Sequence, residues 1–211
     1  MDWQSIKDAI FNGDIAQTPK LVKQAISEGE SPEDVLEKGL IAGMAEVGAR
    51  FKVNEVFVPE VLIAAKAMHT ALDILEPLLA DTGVKPKATV VVGTVKGDLH
   101  DIGKNLVVMM LKGAGFRVID IGIDVPAKAF IDKAESLDAS LIAMSSLLTT
   151  SMPSMKSTIE MLRQRGLNNK IKTVIGGAPV TQDYADQIGA DGYAQDASSA
   201  VDKIKELLEL Q

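Results

Sequence analysis

The stretch ATVVVGTVKGDLHDIGKN, Ala88 to Asn105, changes character halfway along. Its first part, Ala88 to Val95, is β-branched and apolar and reads as a buried strand. Its second part, Lys96 to Asn105, is a charged, glycine-bracketed loop that holds one of only two histidines in 211 residues. A strand that opens into such a loop raises two questions: what sheet the strand belongs to, and why a histidine stands at its end.

Reading towards the carboxyl terminus, short β-branched runs alternate with helical segments. Strands are expected at Ala88–Thr94, Arg117–Ile121, Ser140–Met144, Thr173–Ile175 and, briefly, Gly192–Tyr193, each followed by a helix. That alternation predicts an α/β fold, a doubly wound, flavodoxin-like (Rossmann-like) sheet of five parallel strands. Towards the amino terminus the period changes. Apolar residues recur at helical spacing through Ile6 and Ile10, Leu21 to Ile26, Val35 to Phe51 and Val61 to Leu75, which predicts four helices. Ser31-Pro32-Glu33-Asp34 supplies an N-cap, a proline at the first helical position and acidic residues in the first turn. Pro59 stands where the fourth helix would begin, and Pro77 close enough to its end to kink or stop it. Helices joined by short loops in this way predict an N-terminal four-helix bundle over residues 1–84, with the α/β domain at 85–211 and Asp81–Lys87 as the linker.

Composition narrows the class of function. The chain is 46% hydrophobic, enough for a real core, and has no apolar run of about 18 residues or charged-then-apolar leader, so a soluble cytoplasmic protein is expected, with no membrane partner. A net charge of −7 argues against nucleic acid as a partner, because phosphate binding depends on Lys and Arg. With no cysteine there is neither a disulfide nor a thiolate metal site.

In open parallel sheets, ligands sit outside the carboxyl ends of the strands where strand order reverses. The loops to read are therefore Lys96–Asn105 after the first strand, Ser145–Ser151 (SSLLTTS) after the third, and Gly176-Gly177-Ala178-Pro179 after the fourth, whose glycines let a ligand approach the backbone. For His100 two readings stand at this point. It is either a loop histidine capping the helix that starts near Ile102, or a metal ligand whose other ring nitrogen is fixed by Asp98 two residues earlier. A lone histidine holds no zinc or iron by itself, so such a metal must bring its own ligands, as a tetrapyrrole-like macrocycle does.

Asp98-Leu99-His100-Asp101-Ile102-Gly103 matches the Asp-x-His-x-x-Gly signature of cobalamin-binding domains, and TVKGDLHDIGKN resembles the cobalamin module of methionine synthase. Ser145-Ser146-Leu147 and Ile175-Gly176-Gly177-Ala178 match that family's second and third motifs, and LIAGMAEVGARF (Leu40–Phe51) and FVPEVLIAAKAM (Phe57–Met68) resemble its helical cap. The resemblance implies a cobalamin or related corrinoid bound base-off, with His100 as lower axial ligand of cobalt and Asp98 and Ser151 extending the relay from the imidazole. It also assigns the loop residues Asp101, Ile102 and Gly103 to the cofactor, Ser145, Leu147 and Thr149 to its nucleotide tail, Gly176 and Gly177 to the close passage of that tail, and Tyr193 to the far end of the groove. In the cap it sets Phe51, Val58 and Val61 over the upper face of the corrin, although ordinary core packing is an equal reading of those positions.

A cap plus cobalamin domain of this size resembles the corrinoid proteins of anaerobic methyltransferase systems. It implies a non-autonomous subunit that carries a methyl group on cobalt, cycling between methylcobalt(III) and cobalt(I). The implied partners are a substrate:corrinoid methyltransferase, a methylcorrinoid:acceptor methyltransferase serving a thiol or tetrahydrofolate, and a reductive activase. Methanol, methylamines, quaternary amines and aryl methyl ethers are all open as methyl donors, because donor choice belongs to the partner. Two alternatives are a cobalamin-dependent sensor and the cobalamin subunit of a mutase. The sensors carry a cap Trp followed ten positions later by Glu-His, where this chain has Phe51 and Val61-Leu62, and the mutase modules lack the cap.

Overall fold

The computed structural model describes residues 2–82 and 86–210, and the middle of the expected linker, 83–85, lies outside them. Two compact units result, one formed by 1–86 with 113–115 and the other by 87–112 with 116–211.

In the helical unit, α1 (Trp3–Phe11) starts at Asp2, whose carboxylate accepts the Gln4 N–H at 3.0 Å, and is followed by α2 (Thr18–Ser27). Next comes a continuous helical rod made of α3 (Pro32–Asp34), a π-helical stretch (Val35–Ile41) and α4 (Ala42–Lys52). Ser31 caps this rod by accepting the Asp34 N–H at 3.0 Å, with Pro32 at the first helical position where its missing N–H leaves nothing unpaired. The π-helical widening is a feature that a period of 3.6 does not announce. The last helix of the unit, α5 (Val58–Thr82), runs on through Pro77 rather than stopping there. Ile6, Ile10, Val22, Leu40, Met44, Val61, Met68 and Leu75 are buried in this unit, each contributing on the order of 1.5–3 kcal/mol by leaving water. The helical spacing read from the sequence therefore marks the core face.

The second unit is a five-stranded, all-parallel sheet of order β2-β1-β3-β4-β5, with β1 (Thr89–Thr94), β2 (Arg117–Asp120), β3 (Leu141–Ser145), β4 (Lys172–Gly176) and β5 (Gly192–Ala194). The crossovers are α6 (Ile102–Gly113), α7 (Ala127–Ser136), α8 (Pro153–Gln164) and α9 (Gln182–Ile188), and α10 (Ala197–Leu207) ends the fold. Strands fall within a residue or two of their expected places; β3 and β4 each extend further into their loops. The strands are apolar because both faces are covered: Val91, Ile142 and Ile175 are buried among Phe130, Ile131, Met155 and Ile159 of the helices, and the alternate residues Val90, Leu141 and Val174 are buried as well.

Strand register is what positions the site. Thr94 pairs with Ser145, Ser145 with Gly176, and Gly176 with Ala194, so four strands end in one row. The three unusual loops therefore leave the sheet side by side. Strand order reverses between β1 and β3, at the place where the His100 and SSLLTTS loops emerge. Among the described residues, no helix is long and apolar enough to cross a membrane.

Candidate functional site

The site begins with a buried carboxylate. Asp98 is fully inaccessible to solvent, and each of its oxygens has its own set of donors. Oδ1 accepts the backbone N–H of His100 at 3.0 Å and meets His100 Nδ1 at 2.9 Å. Oδ2 accepts the backbone N–H groups of Leu147 at 2.7 Å and Leu148 at 3.2 Å, and the Ser151 hydroxyl at 3.0 Å. Burial by itself pushes the Asp98 carboxyl up. The His100 and Leu147 N–H groups, then the His100 ring and the Ser151 hydroxyl, outweigh that and hold it well below the usual carboxylate range. Asp98 is therefore an anion at neutral pH, and a lasting acceptor for the imidazole.

His100 is held on one side only. Its Nδ1 is committed to Asp98 rather than to the amides of α6, while 54% of its side chain is exposed. An Nδ1–H donated to a carboxylate fixes the tautomer in which Nε2 carries the lone pair. The backbone of the loop is anchored as well, since the Thr94 hydroxyl donates to the His100 carbonyl at 2.8 Å.

The His100 loop and the two loops hydrogen-bonded to it carry large apolar side chains that face water: Leu99 at 70% exposure and Ile102 at 79%, with Leu147 and Leu148 from the β3 loop and Ile123 from the β2 loop also exposed. Apolar side chains gathered on loops around one imidazole fit a broad, largely apolar ligand better than a small polar one. Among the described residues no cluster of three or more His, Cys, Asp or Glu could hold a metal ion. A metal on His100 would thus bring its other donors with it, which is the donor set a corrin supplies.

The remaining expected residues fall into place with differing environments. Ser145 is half-buried at the end of β3, and Thr149 is exposed in the loop beyond. Asp101 is exposed and accepts from the Asn105 side chain at 3.2 Å, and Gly103 faces open space. Gly176 closes β4, where an added Cβ would stand 2.7 Å from the Ala194 carbonyl oxygen. Gly177 adopts φ +126°, and a Cβ there would overlap the Ser146 carbonyl. Both glycines are thus needed by the chain's own packing. Tyr193 is half-buried against the sheet's core. In the helical unit, Phe51 and Val58 are half-buried, and Val61 is fully buried. His69 is exposed, 4.0 Å from Asp73.

Ser146 is a participant that sequence reasoning did not single out. Its buried hydroxyl lies 2.7 Å from the Ser151 hydroxyl and donates towards the Leu148 carbonyl at 3.1 Å. Its 3.5 Å separation from Asp98 Oδ2 is too long to count for much. A serine next to another serine in a loop gives no sign of such burial; only its place at the end of β3 does.

The chain resembles known proteins along nearly its whole length. Residues 88–202 match a family model described as a B12 binding domain, and residues 3–76 match a second model of the same description. The chain is 47% identical over 206 residues to the dimethylamine corrinoid protein of Methanosarcina barkeri, covering 97% of this chain and 96% of that one. It is 43% identical over 204 residues to trimethylamine corrinoid protein 1 of Methanosarcina acetivorans, covering 96% and 94%. Among solved structures, a cobalamin-binding protein from Desulfitobacterium hafniense superposes with a TM-score of 0.81 at 32% identity, covering 98% of each chain. The methanol:cobalamin methyltransferase complex of Methanosarcina barkeri gives 0.86 at 31% identity, covering 97% of this chain and 78% of that one.

Proposed function

The chain belongs to the B12-binding domain family, and from that premise we propose that it is a corrinoid protein carrying a methyl group between two methyltransferases in the cytoplasm. The observation that carries this reading is the half-exposed imidazole of His100 on the buried, ionised Asp98, amid exposed apolar side chains. A corrinoid bound there would supply a cobalt centre able to take up and release a methyl group.

His100 would hold the cobalt through Nε2, the ring nitrogen that Asp98 leaves free. Asp98 orients the ring and accepts its Nδ1–H, which leaves the Nε2 lone pair for the metal. Ser151 steadies Asp98 from the other side. Leu99, Asp101, Ile102 and Gly103 form the seat around the ligand. Ser145, Leu147 and Thr149 line the nucleotide tail, with Gly176 and Gly177 beside them and Tyr193 at the far end. In the helical unit, Phe51, Val58 and Val61 shield the methyl group, a role that rests on family resemblance.

The partners are a substrate-specific methyltransferase that loads the cobalt, a second that passes the methyl to a thiol or tetrahydrofolate, and a reductive activase. The relatives named for dimethylamine and trimethylamine favour a methylamine as donor. Electron paramagnetic resonance of the protein loaded with cob(II)alamin tests the ligand. A three-line nitrogen splitting is expected in unlabelled protein and a two-line splitting in protein labelled with 15N-histidine; a splitting that the label leaves unchanged would come from the cofactor's own base and rule His100 out.

A further inference from the structure

We propose that Asp124, in the loop between β2 and α7, is a positioning residue that clamps the His100 loop in its ligating conformation. Three contacts run from this one residue to the loop. Its backbone N–H donates to the Asp98 carbonyl at 2.9 Å, Oδ1 accepts the Gly97 N–H at 2.8 Å, and Oδ2 accepts from Lys96 Nζ at 2.9 Å. Lys96, Gly97 and Asp98 are thus all tied to Asp124 immediately before His100.

The conformation on both sides shows that the contact is specified. Asp124 has φ +54°, in the left-handed region that a non-glycine residue enters at a cost, and Gly97 has φ +85°. Such a backbone persists where neighbours hold it. The neighbours are present: the Val125 N–H donates to the Thr94 carbonyl at 3.0 Å, the Thr94 N–H donates to the Gly122 carbonyl at 2.9 Å, and Val95 bridges Val125. The β2 loop therefore continues the sheet for a few residues beside the His100 loop, and the Asp124 carboxylate reaches across at its end. The Gly97 N–H, followed by Lys96, also holds the Asp124 carboxyl below its ordinary range, as a bound acceptor should be.

The two side-chain contacts are unequal. Lys96 is 60% exposed, and an ion pair in that setting contributes little. The Gly97 N–H is the contact that fixes the backbone one residue before Asp98, whose Oδ1 receives His100. The clamp thus acts by hydrogen-bond acceptance rather than by charge, which separates Asp124→Asn from Asp124→Ala. Asparagine keeps an acceptor oxygen and tolerates the left-handed backbone; alanine keeps neither advantage.

The test uses the full chain in two arms, of which only the second rests on the corrinoid reading. In the cofactor-free protein, amide hydrogen exchange of Gly97 is expected to quicken about five- to tenfold in Asp124→Ala, the loss of one net hydrogen bond, and to stay near wild type in Asp124→Asn. With hydroxocobalamin as probe, Asp124→Ala is expected to bind about five- to tenfold more weakly, Asp124→Asn within about twofold of wild type, and Asp124→Ala made in the His100→Ala background no more weakly than His100→Ala alone. Unchanged Gly97 exchange in Asp124→Ala overturns the clamp. So does an Asp124→Asn as impaired as Asp124→Ala, or an equal loss of affinity in the His100→Ala background. A wild-type chain that bound no cobalamin would sink the carrier reading and leave the exchange arm to decide the clamp.

Discussion

The carbonyl of Ser146 occupies the space that a side chain on Gly177 would need, and the Ser146 N–H donates to the Gly176 carbonyl at 3.1 Å. The loops after β3 and β4 are therefore fitted to each other backbone against backbone, and neither can give way by turning a rotamer. Gly177→Ala combines a clash with a positive φ, and is expected to cost about 3 kcal/mol in urea unfolding. Gly166→Ala measures an ordinary left-handed position that has no clash. Gly166 has φ +70° with nothing within 4 Å of an added Cβ, so about 1 kcal/mol is expected there. Equal losses at the two positions would show that the approach to Ser146 is looser than the structure has it.

Replacing Asp98 by Asn keeps its shape and reverses half its chemistry. An amide NH2 would face either the Leu147 and Leu148 N–H groups or the His100 N–H, leaving buried donors without acceptors. Chemical denaturation at pH 7 is expected to show a loss of about 3 kcal/mol. The pH dependence follows from the depressed folded-state pKa. The carboxylate's contribution is whole above the unfolded value, about 4, and is lost as pH falls through the folded one. The gap between wild type and Asp98→Asn should therefore narrow in acid; a constant gap down to pH 3 would contradict a carboxylate held ionised by its donors.

Ser146 and Ser151 share their protons, so their removal should not add. Ser151 can donate to Asp98 or, at 2.9 Å, to the Leu148 carbonyl, and Ser146 lies against it at 2.7 Å. Each single alanine substitution is expected to cost about 1 kcal/mol, and the double variant to fall short of the sum by at least about 0.5 kcal/mol. Strict additivity in a double-mutant cycle would make the two hydroxyls independent.

The shielding assigned to the helical unit can be separated from its packing. Leu75 is fully buried, whereas Phe51 is half-buried, so Leu75→Ala is expected to lose more stability, about 3 kcal/mol, than Phe51→Ala. If Phe51 guards the methyl group, photolysis of bound methylcobalamin should quicken in Phe51→Ala and not in the less stable Leu75→Ala. The reverse order would make bundle loosening the cause.

The sequence by itself determined the classes of element and the Asp98–His100 pair. β-branched runs after Lys87 and a helical period before it encode which faces are buried, so a bundle and a parallel sheet were both legible, and Asp98 and His100 are two residues apart on one loop. Periodicity is silent on local departures, and so the π-helical Val35–Ile41 and the passage of α5 through Pro77 emerged only in three dimensions. Only the tertiary structure decided which loops meet. Ser151 and Leu147 reach Asp98 across separations of 53 and 49 residues, and Asp124 reaches Gly97 across 27. Those contacts depend on β1 lying between β2 and β3 and on Thr94 standing level with Ser145. Burial patterns along a chain record a side chain's depth; strand order and register, which no local pattern records, choose its neighbours.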